Sequence, residues 1–419
     1  MTILPLAWRS LRNRRTTAAL VVISIALSVV LLLGVERLRE QARGSFANTV
    51  SGVDLVVGAR TGPMNLLLYS VFRLGEPTAN VSWDAYQHFA DDRRVAWTIP
   101  LSLGDSHRGY PVLATNQDYF EHFRYGRGQP LALAEGRPFS AVYEAVLGAR
   151  VARELGYRLD QDIVIAHGMG ELGLREHDDK PFRVVGVLEA TGTPVDNTVH
   201  ISLEGFQAIH VDWRGGAPIP GMSISAERAA QMSLQPRSIT AFMLGLESRV
   251  AVFGLQREIN TWRDEPLLAI LPGLTLQQLW DLLAVAENAL LAVSALVLLV
   301  ALLVMLTALL TGLNERRREM AILRSVGARP LQIFTLIIGE SLLLGVLGAM
   351  LGLLLLQGLA FAASGWLSLQ LGMTVSAWPP SANEFLLLGV VLFGAILAGI
   401  WPAIRASRHA LQDGMTQRL

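Results

Sequence analysis

Two histidines and four carboxylates, His167, Glu171, Glu176, His177, Asp178 and Asp179, fall within one glycine-rich stretch, HGMGELGLREHDDK. Imidazole and carboxylate are groups that zinc takes as ligands, so metal binding is the chemistry this stretch offers, with His167 and His177 as weak candidate ligands. The spacing matches no compact zinc motif, and the plain alternative is a solvated hairpin loop. The stretch ends at Lys180, the chain's single lysine, which no glycine precedes. A phosphate-binding loop needs a Gly-Lys-Ser/Thr end, so this chain carries no such cradle, and a nucleotide that powers it binds to another polypeptide. Gly-x-Ser-x-Gly, His-Glu-x-x-His and comparable patterns are missing too, so the sequence names no catalytic residue.

A second chemical feature is charge placed where it is expensive. Glu340, in IIGES, lies inside a long apolar run. A carboxylate within a membrane span is a functional candidate by default; a neutral group hydrogen-bonded to neighbouring backbone is the alternative. The same run holds Gly345, Gly348 and Gly352, the last two at small-xxx-small spacing, which fits helix packing within the chain as well as a seam between two copies. Between the two longest apolar runs sit Arg316, Arg317, Arg318, Arg324 and Arg329, and a short arginine-rich connection between spans belongs in the cytoplasm. Read as a helix, Asn314 to Pro330 is expected to carry Met320, Ile322, Leu323 and Val326 on one face and Arg317, Arg318, Arg324 and Ser325 on the other. Such a helix is either a basic anchor lying on anionic headgroups or a coupling helix that docks into a cytoplasmic partner.

The run ERRREMAILRSVGA resembles the loop between the second and third spans of the MacB/FtsX family of ABC transporter permeases. The resemblance implies that the loop is the contact surface for an ATPase subunit, with Glu315, Arg317, Glu319, Met320, Leu323, Arg324, Val326 and Gly327 as the coupling residues. Two remote stretches, AVLGARVARELGYRLDQDIVI and FRVVGVLEATGTPVDNTVHI, are similar to the family's periplasmic core domain, except that Asp160, Gln161 and Asp162 stand where the family usually has a Gly-Asp turn. WPAIRASRHAL resembles the family's C-terminal border, with Pro402 as a helix breaker. The family implies a membrane subunit that binds no cofactor itself, ATP and magnesium residing on the partner ATPase. It implies a homodimer or a pairing with a paralogous permease, contact with membrane lipid, and a periplasmic adaptor or lipoprotein as a further partner. The expected work is to move or extract a hydrophobic, peptide or lipoprotein substrate by mechanotransmission. The alternative is an FtsX-like signalling scaffold that activates a periplasmic cell-wall hydrolase.

The elements that must position these residues follow from hydropathy. Of 419 residues 52% are hydrophobic and 17% charged, with no cysteine and a formal net charge of zero. That excludes disulfides, thiolate metal sites and a polybasic nucleic-acid surface, and points to the membrane. The expected fold is an α-helical membrane protein with four transmembrane helices and a mixed α/β extracytoplasmic domain inserted between helices 1 and 2. In order, the chain is expected to comprise a cytoplasmic N-terminus (1–17), a first span (18–35), a periplasmic domain with stalk (36–283) and a second span (284–313). The coupling helix (314–330), third span (331–363), short periplasmic loop (364–384), fourth span (385–404) and cytoplasmic C-terminus (405–419) follow. This layout belongs in a bacterial cytoplasmic (inner) membrane, with the large domain in the periplasm.

Leu274 to Leu313 reads as one helix opened by a Thr275/Gln278 capping box. Its roughly 38 residues at ~1.5 Å each would reach ~57 Å, nearly twice the ~30 Å hydrocarbon layer, so its first half is expected to stand above the membrane. Strands are predicted at Val53–Val57, Tyr110–Ala114, Ile163–Ala166, Phe182–Leu188, Val199–Ser202 and Ile239–Leu246, and helices at Val146–Leu155 and Ser248–Trp262. Met64 to Leu74 is apolar enough for buried core or for a helix that grips lipid.

Overall fold

Four long helices carry the apolar runs: α1 (Arg15–Ala47), α2 (Pro272–Glu315), α3 (Pro330–Leu371) and α4 (Ala382–His409). The computed structural model describes residues 15–47, 49, 51–168, 175–214, 217–219, 223–315, 320, 322, 325–371 and 381–409. Each helix contains a stretch long and apolar enough to cross a bilayer. The chain folds as two compact units, one holding α1 up to residue 42 with residues 283–419 and the other formed by residues 43–282.

In the helical unit, Val21, Ile25, Val29 and Leu33 of α1 meet Leu298, Ala301 and Met305 of α2, Leu344 and Leu356 of α3, and Val391 and Ala395 of α4. Leu296, Leu299, Val300 and Leu303 of α2 and Leu386, Val390, Phe393 and Leu397 of α4 point outward. A helix apolar on its outer as well as its inner face is a membrane helix, because lipid rather than water meets the outer side. Helix α2 is uninterrupted over 44 residues, ~66 Å at ~1.5 Å per residue. It begins at Pro272, three residues before the predicted Thr275 cap; Thr275 is already inside the helix, its N–H donating to the Leu271 carbonyl at 3.0 Å. Proline suits a first helical turn because its missing N–H would be unsatisfied there anyway.

Two predicted breaks are also corrected. Helix α3 continues to Leu371, into the segment expected as an outer loop. Helix α4 passes through Pro402 to His409, and Ala403 and Ala406 just beyond the proline are buried against α3. That packing offsets the backbone hydrogen bond that proline forfeits.

Residues 43–282 form the mixed α/β domain. A four-stranded antiparallel sheet runs in the order Leu267–Ile270, Leu55–Ala59, Ala241–Leu246, Val95–Leu101. A larger mixed sheet pairs Phe182–Leu188 in parallel with Glu144–Leu147, and Val199–Ser202 in parallel with Tyr110–Thr115. Both faces are covered: Leu55 and Val57 enter one apolar cluster and Val56 the other, as do Val112 and Ala114 against Leu113. Strands buried on both sides need no polar alternation, which is why they read as continuous apolar runs. The apolar Met64–Leu74 stretch is core, since helix Pro63–Val71 buries Leu66, Leu67 and Tyr69.

The predicted strand Ile163–Ala166 is two short strands, Asp162–Ile163 against Phe182–Leu188 and Ala166–His167 against Asp105–His107. Between them the Val164 carbonyl turns to the His107 ring nitrogen at 2.6 Å, leaving the ladder. The predicted helix Val146–Leu155 starts only at Ala149, because Val146 and Leu147 pair with His200 and Val199. Asp160 adopts φ 64°, a left-handed conformation that aspartate tolerates, with its N–H donating to the Val184 carbonyl.

Candidate functional site

The connection between α2 and α3 is the first candidate. Glu315 closes α2, whereas Arg316, Arg317, Arg318, Glu319, Leu323 and Arg324 lie outside the described residues. Met320, Ile322 and Ser325 are helical. Met320 is only 3% exposed and packs on Ile333, Leu336, Ile337, Ala403 and Ala406, at the ends of α3 and α4. Ile322 and Val326 are instead exposed, Val326 at 82%. The expectation of one apolar face is thus corrected. At about 100° per residue Met320 and Ile322 stand about 200° apart, so one serves the chain's own core while the other, with Val326, faces outward.

Gly327 then stops the helix at φ 99°, a left-handed conformation that a side chain would strain. Helix α3 opens behind it with Pro330 in its first turn, and the Gln332 side chain accepts from the Arg329 N–H at 2.8 Å. The turn between the two helices is therefore locally specified.

Within the spans, Glu340 is buried and lines a small cavity of ≈ 30 Å³ with Thr17, Ala308 and Gly312. The three glycines of α3 face partners inside the chain. A Cβ on Gly345 would lie 2.8 Å from Ala395 Cβ, one on Gly348 2.6 Å from Ile25 Cγ2, and one on Gly352 2.8 Å from the Ala26 carbonyl oxygen. The small-residue face is taken up by α1 and α4.

A polar network at one end of the bundle has no counterpart among the predicted sites. Arg37 of α1 donates two hydrogen bonds of 2.8 Å to the Glu384 carboxylate on α4, and a third of 3.2 Å to Gln357 of α3. Asn383 donates to Glu36, and Arg39 pairs with Glu287 of α2 at 2.9 Å. All four helices are joined there. The only signal in the sequence is the charge pair Glu36-Arg37 directly after one apolar run and Glu384 directly before another; nothing in their spacing couples them.

His167 and His177 do come together, but not with the acidic neighbours of their own stretch. Glu176 and Asp178 are exposed, Asp179 pairs with Lys180, and Glu171 lies outside the described residues. The groups that join them are Asp105 and His210, brought from strand Asp105–His107 and from the end of helix Leu203–His210. Lys180 is fully buried, its ammonium donating to both oxygens of Asp212 at 3.0 and 3.1 Å. It fastens the His177 segment to the one carrying Trp213.

Comparison with known proteins agrees with this architecture. The profile of the MacB-like periplasmic core domain matches residues 16–241, more than half of the chain, and that of the FtsX-like permease C-terminal domain matches residues 291–411. The chain belongs to the MacB/FtsX family of ABC transporter permeases. The macrolide export ATP-binding/permease protein MacB of Hyphomonas neptunium is 34% identical over 117 residues, which is 28% of this chain but only 17% of that relative. The periplasmic region of MacB from Actinobacillus actinomycetemcomitans aligns over 56% of this chain and 95% of its own, at 10% identity and a TM-score of 0.36. The extracellular domain of the ABC-type transporter YknZ from Gram-positive bacteria covers 52% and 98%, at 10% identity and a TM-score of 0.31. The assignment to the MacB/FtsX family rests on the two profiles.

Proposed function

We propose that this permease is the membrane subunit of an ABC transporter of the inner membrane, driven by a separate ATPase that holds ATP and magnesium. Two copies would pair around two ATPase subunits, with residues 43–282 in the periplasm. The observation that carries the reading is the α2–α3 connection. A helical segment ended by Gly327 presents Ile322 and Val326 outward while Met320 roots it in the bundle. An apolar pair on a rooted segment is what a groove on an ATPase can grip and push, and the arginines around it favour a cytoplasmic location. Closure of the ATPase pair on ATP displaces that segment. The displacement passes into α2, whose 44 helical residues make it a rigid transmitter. A hydrophobic, peptide or lipoprotein substrate held by the periplasmic domain is then moved or extracted without crossing the bilayer through this chain.

Co-purification of the ATPase tests the proposal. Val326→Asp places a charge in the groove and is expected to cut ATPase retention about 30-fold, equivalent to the ~2 kcal/mol of a hot-spot contact. Met320→Ala, which weakens the chain's own packing, should lower thermal stability while the folded fraction still retains the ATPase. Full retention by Val326→Asp refutes docking at this surface.

A further inference from the structure

Asp105 and His167 stand directly opposite each other on paired antiparallel strands, so their side chains share one face of the ladder. His167 Nδ1 lies 3.0 Å from Asp105 Oδ1 and 3.2 Å from His210 Nε2, and His210 Nε2 is 3.6 Å from Asp105 Oδ2. One donor atom from each of Asp105, His167, His177 and His210 falls within 4.8 Å of all the others. Tetrahedral coordination by nitrogen at ~2.0–2.1 Å places ligand atoms about 3.3–3.4 Å apart. The His167–His210 contact and the two contacts to Asp105, one through each carboxylate oxygen, lie near that spacing, and the ligand atom of His177 is within 4.8 Å of the others.

Each of the three imidazoles brings a ring nitrogen within 4.8 Å of an Asp105 carboxylate oxygen. His210 Nδ1 sits 2.8 Å from the Phe206 carbonyl, which can only accept, so Nδ1 carries the proton and Nε2 turns a lone pair toward Asp105 and His167. His177 is fully buried, and neither of its ring nitrogens has a hydrogen-bond partner among the described residues. The Asp105 carboxylate is also fully buried, with His167 Nδ1 and His210 Nε2 as its near neighbours.

Access and rigidity are both provided. A cavity of ≈ 260 Å³, lined by Asp105, His167, Gln207 and His210, adjoins the cluster. Trp213 packs on the His177 ring with centroids 4.1 Å apart, and the Lys180–Asp212 pair fixes the two segments that carry these residues.

We propose that Asp105, His167, His177 and His210 form a binding site for one divalent transition-metal ion of the zinc class on the extracytoplasmic domain. Imidazole nitrogens with one carboxylate suit zinc and its neighbours rather than calcium or magnesium, which take oxygen ligands. The site stands independently of the ATPase-coupling reading.

The test uses the full chain in detergent, stripped with a chelator and titrated with Zn²⁺ against a chromogenic competitor, and separately with Co²⁺. Expected results are one ion per chain and the intense visible absorption of four-coordinate Co²⁺, displaced by Zn²⁺. Because loss of a second-shell partner alone costs about 10–100-fold, His210→Gln and His177→Gln should each weaken Zn²⁺ binding at least about 100-fold, and Asp105→Asn at least about tenfold. His88→Gln, at a ring packed at a tilt on Trp262 and outside the cluster, should bind as wild type. The wild-type Co²⁺ spectrum does not depend on any variant folding. No saturable binding, an octahedral Co²⁺ spectrum, or binding that survives all three cluster variants, as it would at Asp118, Glu121 and His122, overturns the proposal.

Discussion

Removing one member of the Arg37–Glu384 pair should cost far more than removing both. The guanidinium and carboxylate side chains are 8% and 3% exposed, and the two parallel bonds of 2.8 Å make the pair bidentate. Truncating one partner strands a buried charge, a loss of about 3–5 kcal/mol. Arg37→Ala and Glu384→Ala are each expected to lose that much. Arg37→Met with Glu384→Leu, which removes both charges and refills the space, should fall within about 1 kcal/mol of wild type, since apolar replacement of a buried pair is often neutral. Equilibrium unfolding by SDS in mixed micelles reads these differences, and a double-mutant cycle over Arg37→Met and Glu384→Leu should return a coupling of at least about 3 kcal/mol. Near-additive single and double variants would mean that the two groups are solvated separately, and the reasoning would fail.

Two further outcomes follow from packing and burial. Gly352→Ala should destabilise by about 1–3 kcal/mol because its methyl would sit 2.8 Å from the Ala26 carbonyl oxygen, while Gly358→Ala, on the same helix with nothing within 4 Å, should be neutral or slightly stabilising in the same unfolding assay. Burial, then the positive charge of Arg73, pushes His200 down to about 3, against 6.5 for an ordinary histidine. The unfolded chain therefore binds the extra proton between those values. The stability contribution of neutral His200 is full above about pH 6.5 and declines as pH falls toward about 3. A pH series of thermal midpoints for wild type and His200→Leu should show a shallower acid slope in the variant, and identical slopes would refute the assignment.

What could be read from the sequence and what could not divides along physical lines. Apolar runs announce spans because lipid imposes a length, and Phe182–Leu188 and Val199–Ser202 were legible to both ends because β-branched residues meet turn residues there. Helix ends were less legible: Glu36 and Arg37 look like the end of a span, yet their charges are satisfied by Asn383 and Glu384, 347 residues away, and the helix runs on. Met320 shows the limit of a helical wheel drawn by eye, since its neighbour two places on faces the other way. In the histidine cluster, His167 and His177 were visible as a local group. Asp105 and His210 were not, because strand pairing and a helix terminus bring them in from separate parts of the chain.

Lys180 has one more consequence. It is the chain's single lysine, and its ammonium is sealed at 0% exposure between Asp179 and Asp212. Acylating reagents that attack amines therefore find no lysine side chain on the folded protein. Any acyl group that arrives at Lys180 records an opening event of the segment between His177 and Trp213, in the way hydrogen exchange records local unfolding. The rate of modification at Lys180, followed by mass spectrometry of the peptide that contains it, gives a clock for this corner of the domain that needs no engineered label.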